Sequence, residues 1–319
     1  MGTLRTDEVS PEARAQAQTE TGASWPRISL VTPVRNSARY IEETISSVLS
    51  QGYPNLEYLI VDGGSTDGTV EIIRKYEKHL AGWVSEPDRG MYDALNKGFA
   101  QSTGGVMGWI SATDMLHVGG LKVVGGAFRD LPSVEWITGR PTVFNEEGMT
   151  VFVGTRHDTR LAEGLPRWSR YRFLAGANRY IQQESTFWRR SLWERAGGRV
   201  DDSRRIASDF ELWVRFFRHA QLYTVDALIG GFRGHRDSLG LMDMEACHRV
   251  YDEVIEKELD WVPRGNWIRA FRRMDRRIRS IHKVRYVWRK VVTRALYEMP
   301  GGDWPPVVKF NWEKWILTR

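Results

Sequence analysis

From Ile28 onward, short runs of consecutive apolar residues alternate with longer stretches whose apolar positions recur every three or four residues. The first run, ISLVTPV at residues 28–34, reads as a strand ending near Thr32-Pro33. Ile41, Ile45, Val48 and Leu49 fall at helical spacing, which predicts a helix from about Ala38 to Gln51. Gly52-Tyr53-Pro54-Asn55 stops it, and Leu56–Val61 forms a second strand. Strand, helix and strand in so short a span make a βαβ unit, so the sheet is expected to begin parallel. Trp83–Ser85 reads as a third strand, Met91–Gln101 as a helix with Leu95 and Phe99 inward, and Met107–Ile110 as a fourth strand.

The second half is patterned less cleanly. His117–Asp130 has helical composition despite its glycines, and Glu135–Gly139 and Met149–Gly154 look like strands, with Asn145-Glu146-Glu147-Gly148 as the turn between them. Residues 156–180, rich in Arg, Trp and Tyr, show no period. Glu184–Trp188 follows as a strand, Leu192–Arg195 as a short helix, and Ile206–His219 as a helix with Phe210, Trp213, Val214 and Phe217 inward. Leu222–Phe232 is a strand-like run.

The polar residues at the strand ends supply the chemistry. Asp62-Gly63-Gly64-Ser65 interrupts the second strand with a carboxylate and two flexible glycines, which let a chain turn tightly beside a ligand. Asp114 stands just past the fourth strand. Ligands of open α/β sheets bind beyond the carboxyl ends of strands, so two carboxylates from two strand ends point to one site.

Composition narrows the class. With 319 residues and 41% hydrophobic content, the chain is long enough for a large core. Its single cysteine, Cys247, excludes an internal disulfide framework and fits a reducing compartment. Residues 1–24 are polar and read as a disordered tail without the apolar centre of a signal peptide. No uncharged apolar run reaches the roughly eighteen residues of a membrane span, so a cytoplasmic protein is expected, with peripheral attachment at the inner membrane face as an option.

The order and wording of these pieces resemble the family 2 glycosyltransferases. The match runs through ISLVTPVRN, SVLSQGYPNLEYLIVDGGSTDGT, SEPDRGMYDALNKGFAQSTGG and GWISATDMLHVGGL, then more loosely through QQESTFWRRSLWERAGG, IASDFELWVRF and GFRGH. The piece EPDRGMYDALNKG is similar to bacterial enzymes of colanic acid or O-antigen type surface-polysaccharide assembly. The resemblance implies the α/β GT-A fold: a Rossmann-like, mostly parallel central sheet flanked by helices. It implies a glycosyltransferase domain over residues 25–240, with a nucleotide-sugar half (25–115), an acceptor half (116–240) and a helical extension at 241–319.

It also implies sugar transfer with inversion from a nucleotide-diphosphate sugar, a UDP-sugar being favoured, to a glycan or lipid-linked acceptor. By the same resemblance Asp62 reads the base, and Thr32, Pro33 and Arg35 line the nucleotide. Arg89, Asp93, Lys97 and Thr113 then face the donor. Asp114 and His235 would hold Mn²⁺ or Mg²⁺, although the run Ser111-Ala112-Thr113-Asp114 lacks the first acid of the family's usual pair. Asp209 matches the general base, with Glu211 ranked second. Gln182-Gln183-Glu184-Ser185, where relatives often have His-Gln, lines the acceptor pocket or a strand's polar face. Trp188, Trp193 and Trp213 stack on sugars or fill the core. Two rivals stay open: a non-catalytic nucleotide-sugar-binding scaffold, and a sugar nucleotidyltransferase, although the latter's glycine-rich, lysine-bearing loop is missing after Val34.

Charge changes the picture only at the C-terminus. Of the net +6, residues 264–295 contribute twelve Lys/Arg against one acid, Asp275. Trp267, Phe271, Met274, Ile278, Ile281, Val284, Trp288 and Val291 repeat there at spacings of three and four, an amphipathic helix with an arginine-rich face. Such a helix suits an anionic membrane surface, packing on the catalytic domain, or a homodimer contact. The rest of the chain is mildly acidic, so nucleic acid is not an expected partner.

Overall fold

The computed structural model describes residues 24–154, 168–176, 180–235, 243–263, 265–279 and 306–318. The expected N-terminal tail lies outside them, apart from Ser24. The first half runs β1 (Ile28–Val34), α1 (Ile41–Leu49), β2 (Leu56–Asp62), α2 (Thr69–Tyr76), β3 (Gly82–Ser85), α3 (Met91–Gln101) and β4 (Val106–Trp109). Then come β5 (Met115–Leu116), α4 (Gly120–Asp130), β6 (Trp136–Thr138), β7 (Thr142–Phe144), β8 (Thr150–Val153), α5 (Arg170–Leu174), β9 (Thr186–Arg189), α6 (Arg190–Arg195) and α7 (Ser208–Phe216). The remaining described elements are β10 (Leu222–Thr224), β11 (Gly230–Arg233), α8 (Met244–Glu258), α9 (Gly265–Arg279), β12 (Val307–Phe310) and β13 (Trp315–Thr318).

Seven strands form the central sheet in the order β10-β6-β9-β4-β1-β2-β3. Pairing is parallel except where β9 meets β4 and β6. Strand β1 is buried along its whole length, and successive side chains enter opposite layers. Leu30 joins a core with α1 and α4, whereas Val31 joins a core with α3 and α7. A strand covered on both faces reads as a continuous apolar run, which is why ISLVTPV shows no alternation. Trp109, Trp136, Trp188 and Trp213 pack in the α3/α7 layer, Trp109 and Trp213 stacked at 5.7 Å. Trp188, Trp193 and Trp213 are all buried, so they are core residues and offer no sugar platform.

A second sheet, β5-β11-β7-β8, rises beside the first. The single strand expected over Leu222–Phe232 is therefore two strands in different sheets, separated by a bend at Asp226-Ala227. Strand β7 is three residues long, too short for a period-2 signal, and escapes a pattern reading. The hairpin β12–β13 was likewise not foreseen. It docks on the core through Asp226 N–H to the Val308 carbonyl (2.9 Å) and Trp315 N–H to Asp130 Oδ2 (2.9 Å).

The described part of the basic helix, α9, packs on the catalytic body. Ile268 and Phe271 are buried, and Arg272 pairs with Asp252 while donating to the Leu174 carbonyl. Arg269 binds Glu256 of α8. The buried stripe is thus offset from the expected one, since Trp267 and Met274 face outward. The expected positions Ile281, Val284, Trp288 and Val291 lie outside the described residues.

Candidate active site

The chain passes from β1 to β2 on one side of β1 and later returns to lay β4 on the other. Connections leaving in opposite directions open a crevice at the carboxyl ends of β1 and β4. Asp114 lies on the β4 wall of that crevice, 3% exposed. Helix α1 supports its loop, with Thr44 Oγ1 donating to the carbonyls of Ala112 (2.9 Å) and Asp114 (2.8 Å).

Arg233 of β11 fixes Asp114 from the other side. Its backbone N–H donates to Asp114 Oδ1 at 2.9 Å, and its fully buried guanidinium reaches the Thr113 carbonyl (2.8 Å), the Glu146 carbonyl (2.9 Å) and Glu43 (2.6 Å). Burial pushes the Asp114 carboxyl up to about 7, against the pull of its hydrogen bonds and the Arg233 charge.

Glu184 completes this wall. It is 3% exposed, accepts from Gln182 Nε2, and belongs to a short 3₁₀ turn leading into β9. Burial, then the charges of Asp114 and also Asp209, raise its pKa well above the usual carboxylate range. Two neighbouring buried carboxyls resist ionising together, and the Asp114 charge adds to the rise at Glu184.

Asp209 enters from the first turn of α7. The N-cap residue Ala207 adopts a left-handed conformation at φ 63°. Tyr92 of α3 pins this start by accepting the Ser208 N–H at 3.2 Å. Loss of hydration raises the Asp209 pKa, partly opposed by backbone N–H groups at the helix start. Glu211 is tied to Arg215 at 2.8 Å and is not free to act as a base.

The nucleotide flank departs from expectation. Thr32 is buried, its hydroxyl paired with Tyr58 Oη at 2.9 Å, so it braces the sheet instead of lining a ligand. Pro33 is buried in the same strand, while Arg35 is exposed at the end of β1. Asp62 is fully buried and engaged by its own loop. Arg89 binds Asp93 (2.7 Å) and Asp202 (2.6 Å), and Lys97 binds Glu86 (2.7 Å), so these cations form a partly exposed ion network along α3. A groove of about 680 Å³ opens beside Arg89, Asn96, Arg190 and Arg199, and neither Asp114 nor Asp209 lines it.

The structure thus brings Asp114, Thr113 and Asp209 to one crevice and adds Glu184, Tyr92 and Arg233, which residue patterns did not single out. Glu184 was visible only as one member of a polar run, and Tyr92 and Arg233 act through contacts 116 and 119 residues away in sequence. His235 stands two residues beyond Arg233, past the end of β11, and its ring centroid lies 5.2 Å from that of Tyr40. Among the described residues no three His, Cys, Asp or Glu side chains gather to hold a metal unaided. Asp114 is nonetheless a hard oxygen donor of the right kind, and a divalent ion here fits if phosphate oxygens and water complete its shell.

Comparison with known proteins gives a consistent picture. The profile described as "Glycosyl transferase family 2" matches residues 29–232. An uncharacterised glycosyltransferase of Mycobacterium tuberculosis is 32% identical over 195 residues, covering 60% of this chain and 69% of the relative. Among solved structures, Staphylococcus aureus TarS residues 1–349 in complex with UDP-GlcNAc aligns with a TM-score of 0.58 at 18% identity, covering 73% of this chain and 66% of that one. The mannosyltransferase PcManGT of Pyrobaculum calidifontis, in complex with GDP-Man and Mn²⁺, aligns at 0.54 with 17% identity, covering 90% and 81%. At such identities the structures share the fold.

Proposed function

The chain belongs to glycosyl transferase family 2, and from that premise we propose that it moves a sugar, with inversion, from a nucleotide-diphosphate sugar to a hydroxyl of a glycan or lipid-linked acceptor in surface-polysaccharide synthesis. The observation that carries this reading is that Asp114 and Asp209, from distant segments of the chain, both act on the buried Glu184 and both have raised pKa values themselves. Asp209 takes the proton of the acceptor hydroxyl. The oxygen's electron pair forms the new bond to C1 while the C1–O bond to the diphosphate breaks on the opposite face, its electrons leaving with the nucleoside diphosphate. A divalent cation, Mn²⁺ or Mg²⁺, would offset the leaving group's charge, with Asp114 and His235 as its protein donors. Glu184, buried beside Asp114 and with its pKa raised by burial and by that charge, completes the wall of the site.

A thermal-shift panel of UDP, GDP, dTDP and CMP, each with and without Mn²⁺, tests the reading. One nucleoside diphosphate is expected to raise the Tm by a few degrees, and Mn²⁺ to enlarge the shift, because binding to the folded state alone stabilises it. Indifference to Mn²⁺ would remove the metal from the reading. No shift with any nucleotide would favour a protein without a donor site.

The outward face of α9 fits an anionic membrane surface. Trp261, 80% exposed, precedes a stripe of Trp267, Ala270 and Met274, with Arg273 and Arg277 alongside. Aromatic residues between cations are suited to the headgroup boundary. Deleting the extension is a poor test, because Ile268, Phe271, Val307 and Val308 are core residues. Trp261→Ala with Trp267→Ala in the full chain is expected to weaken binding to phosphatidylglycerol-containing vesicles by about tenfold or more. Vesicle binding equal to wild type would refute the surface.

A further inference from the structure

The groove of about 680 Å³ runs between one side of α3 and the short helix α6 with the loop that follows it. Arg89 stands at one end, three residues before the Tyr92 that seats the Asp209 helix, and Ser102 closes α3 at the other. At 1.5 Å per residue these two positions are about 20 Å apart. Phe99 and Trp193, both nearly buried and 4.9 Å apart, form the floor. The wall opposite α3 is fixed in place. Gly197 and Gly198 end α6 in left-handed conformations, and Asn96 exchanges two hydrogen bonds of 2.9 Å with the backbone of Val200. Asp202 is held between Arg89 (2.6 Å) and Arg199 (2.7 Å).

Two charged groups of this lining have no ion-pair partner among the described residues. Arg190 is half-buried, yet its guanidinium donates only to neutral acceptors, the Gly104 carbonyl (2.8 Å) and Ser102 Oγ (2.9 Å). Glu194, one turn along α6, is exposed and pairs with no cation. A guanidinium drawn partly out of water is stabilised by an oxyanion, which it can hold through two parallel N–H groups. Arg89, Arg190 and Arg199 against Glu194 and Asp202 leave the lining with one net positive charge. A free dianion overcompensates that charge and is repelled by Glu194. A ligand with one carboxylate and several hydroxyls satisfies both groups, its carboxylate on Arg190 and its hydroxyls donating to Glu194.

Resting on the sugar-transfer reading above, we infer that this groove is a second glycan site, which takes a uronic-acid type residue of the acceptor chain. It lies outside the crevice and contributes affinity, while the chemistry stays with Asp209. A glycan gripped along α3 by its acidic sugar is held beside the Arg89 end, with its terminus free to enter the crevice. The acceptor class is an acidic glycan.

Calorimetric titration of the full chain with trigalacturonate, maltotriose and inorganic phosphate tests this. Trigalacturonate is expected to bind at least about tenfold tighter than maltotriose, the scale of a charged hydrogen bond. Arg190→Gln should remove that preference. Because Arg190 also braces Ser102 and Gly104, a second variant leaves every charge in place: Ala100→Trp, at an exposed position of the groove, should fill it and abolish trigalacturonate binding with an unchanged Tm. If Ala100→Trp binds trigalacturonate as wild type does, or if maltotriose binds equally well, the inference fails. Phosphate binding that depends on Arg190, without trigalacturonate binding, would make the groove a free-oxyanion site and overturn the glycan assignment. Titration with UDP and GDP on the same protein separates the two readings. Normal nucleotide binding without trigalacturonate binding removes only the groove site, whereas trigalacturonate binding with neither nucleotide bound removes the sugar-transfer reading and leaves a glycan-binding protein.

Discussion

Asp209→Asn is expected to abolish measurable sugar transfer, a loss on the order of 10²–10⁴-fold, while nucleotide affinity stays at the wild-type value. The asparagine keeps the volume and the helix-start hydrogen bonding but cannot take a proton. The pH dependence separates this role from a structural one. Burial raises the Asp209 pKa, so the catalytic base should be lost as pH falls through a value above the ordinary aspartate range. The wild-type acid limb then lies there, and the residual activity of the variant lacks it. Stability carries the opposite sign. A carboxyl whose folded pKa is raised binds more protons folded than unfolded, so its contribution declines as pH rises through the folded value. At neutral pH the variant should therefore be as stable as wild type or more so, read as Tm. A helix-capping role predicts a lower Tm with retained activity, and that combination would overturn the assignment.

Gly230→Ala is expected to destabilise the fold by about 3 kcal/mol, at the upper end for overpacking a core, and to inactivate the protein. A methyl group on residue 230 would sit 2.2 Å from the Glu184 carbonyl oxygen and 2.9 Å from its carbon. Both are backbone atoms and cannot turn aside. Gly230 is held in place by Thr142 Oγ1 donating to its carbonyl at 3.0 Å and by its own N–H donating to Ser185 Oγ at 3.2 Å. Relief of the clash must move either β11, which carries Arg233 and so Asp114, or the turn that carries Glu184. For a domain of this size about 3 kcal/mol corresponds to roughly 6–12 °C in Tm. A variant that melts with wild type and remains active would show that β11 and the Glu184 turn are not in contact.

The order of strands and helices from Ile28 to Trp109 was legible because the strands are unbroken apolar runs and the helices between them carry a period of three to four residues. Met91–Gln101 matches its predicted limits residue for residue, and the βαβ start and parallel pairing follow from local spacing. Asp114 was legible as an acid just past an apolar run, and Asp209 only through the resemblance carried by IASDFELWVRF. The nucleotide flank was not. Asp62 and Thr32 stand at strand ends as a pattern requires, but whether a side chain turns to solvent or into its own loop depends on partners such as Ser85 and Tyr58, which sequence spacing does not reveal.

By itself, then, the sequence determined the first strands of the sheet, their parallel start and the place of Asp114 just past β4, because these depend on unbroken apolar runs, on a 3.6-residue helical period and on residues at element ends. Only the tertiary structure decided that Glu184 joins Asp114, that Arg233 anchors it and that Tyr92 seats the Asp209 helix. Each of those is a contact between distant segments, set by how β11, α3 and the second sheet pack against the first. Hydration lost in that packing is what moves the pKa values, and no local pattern records it.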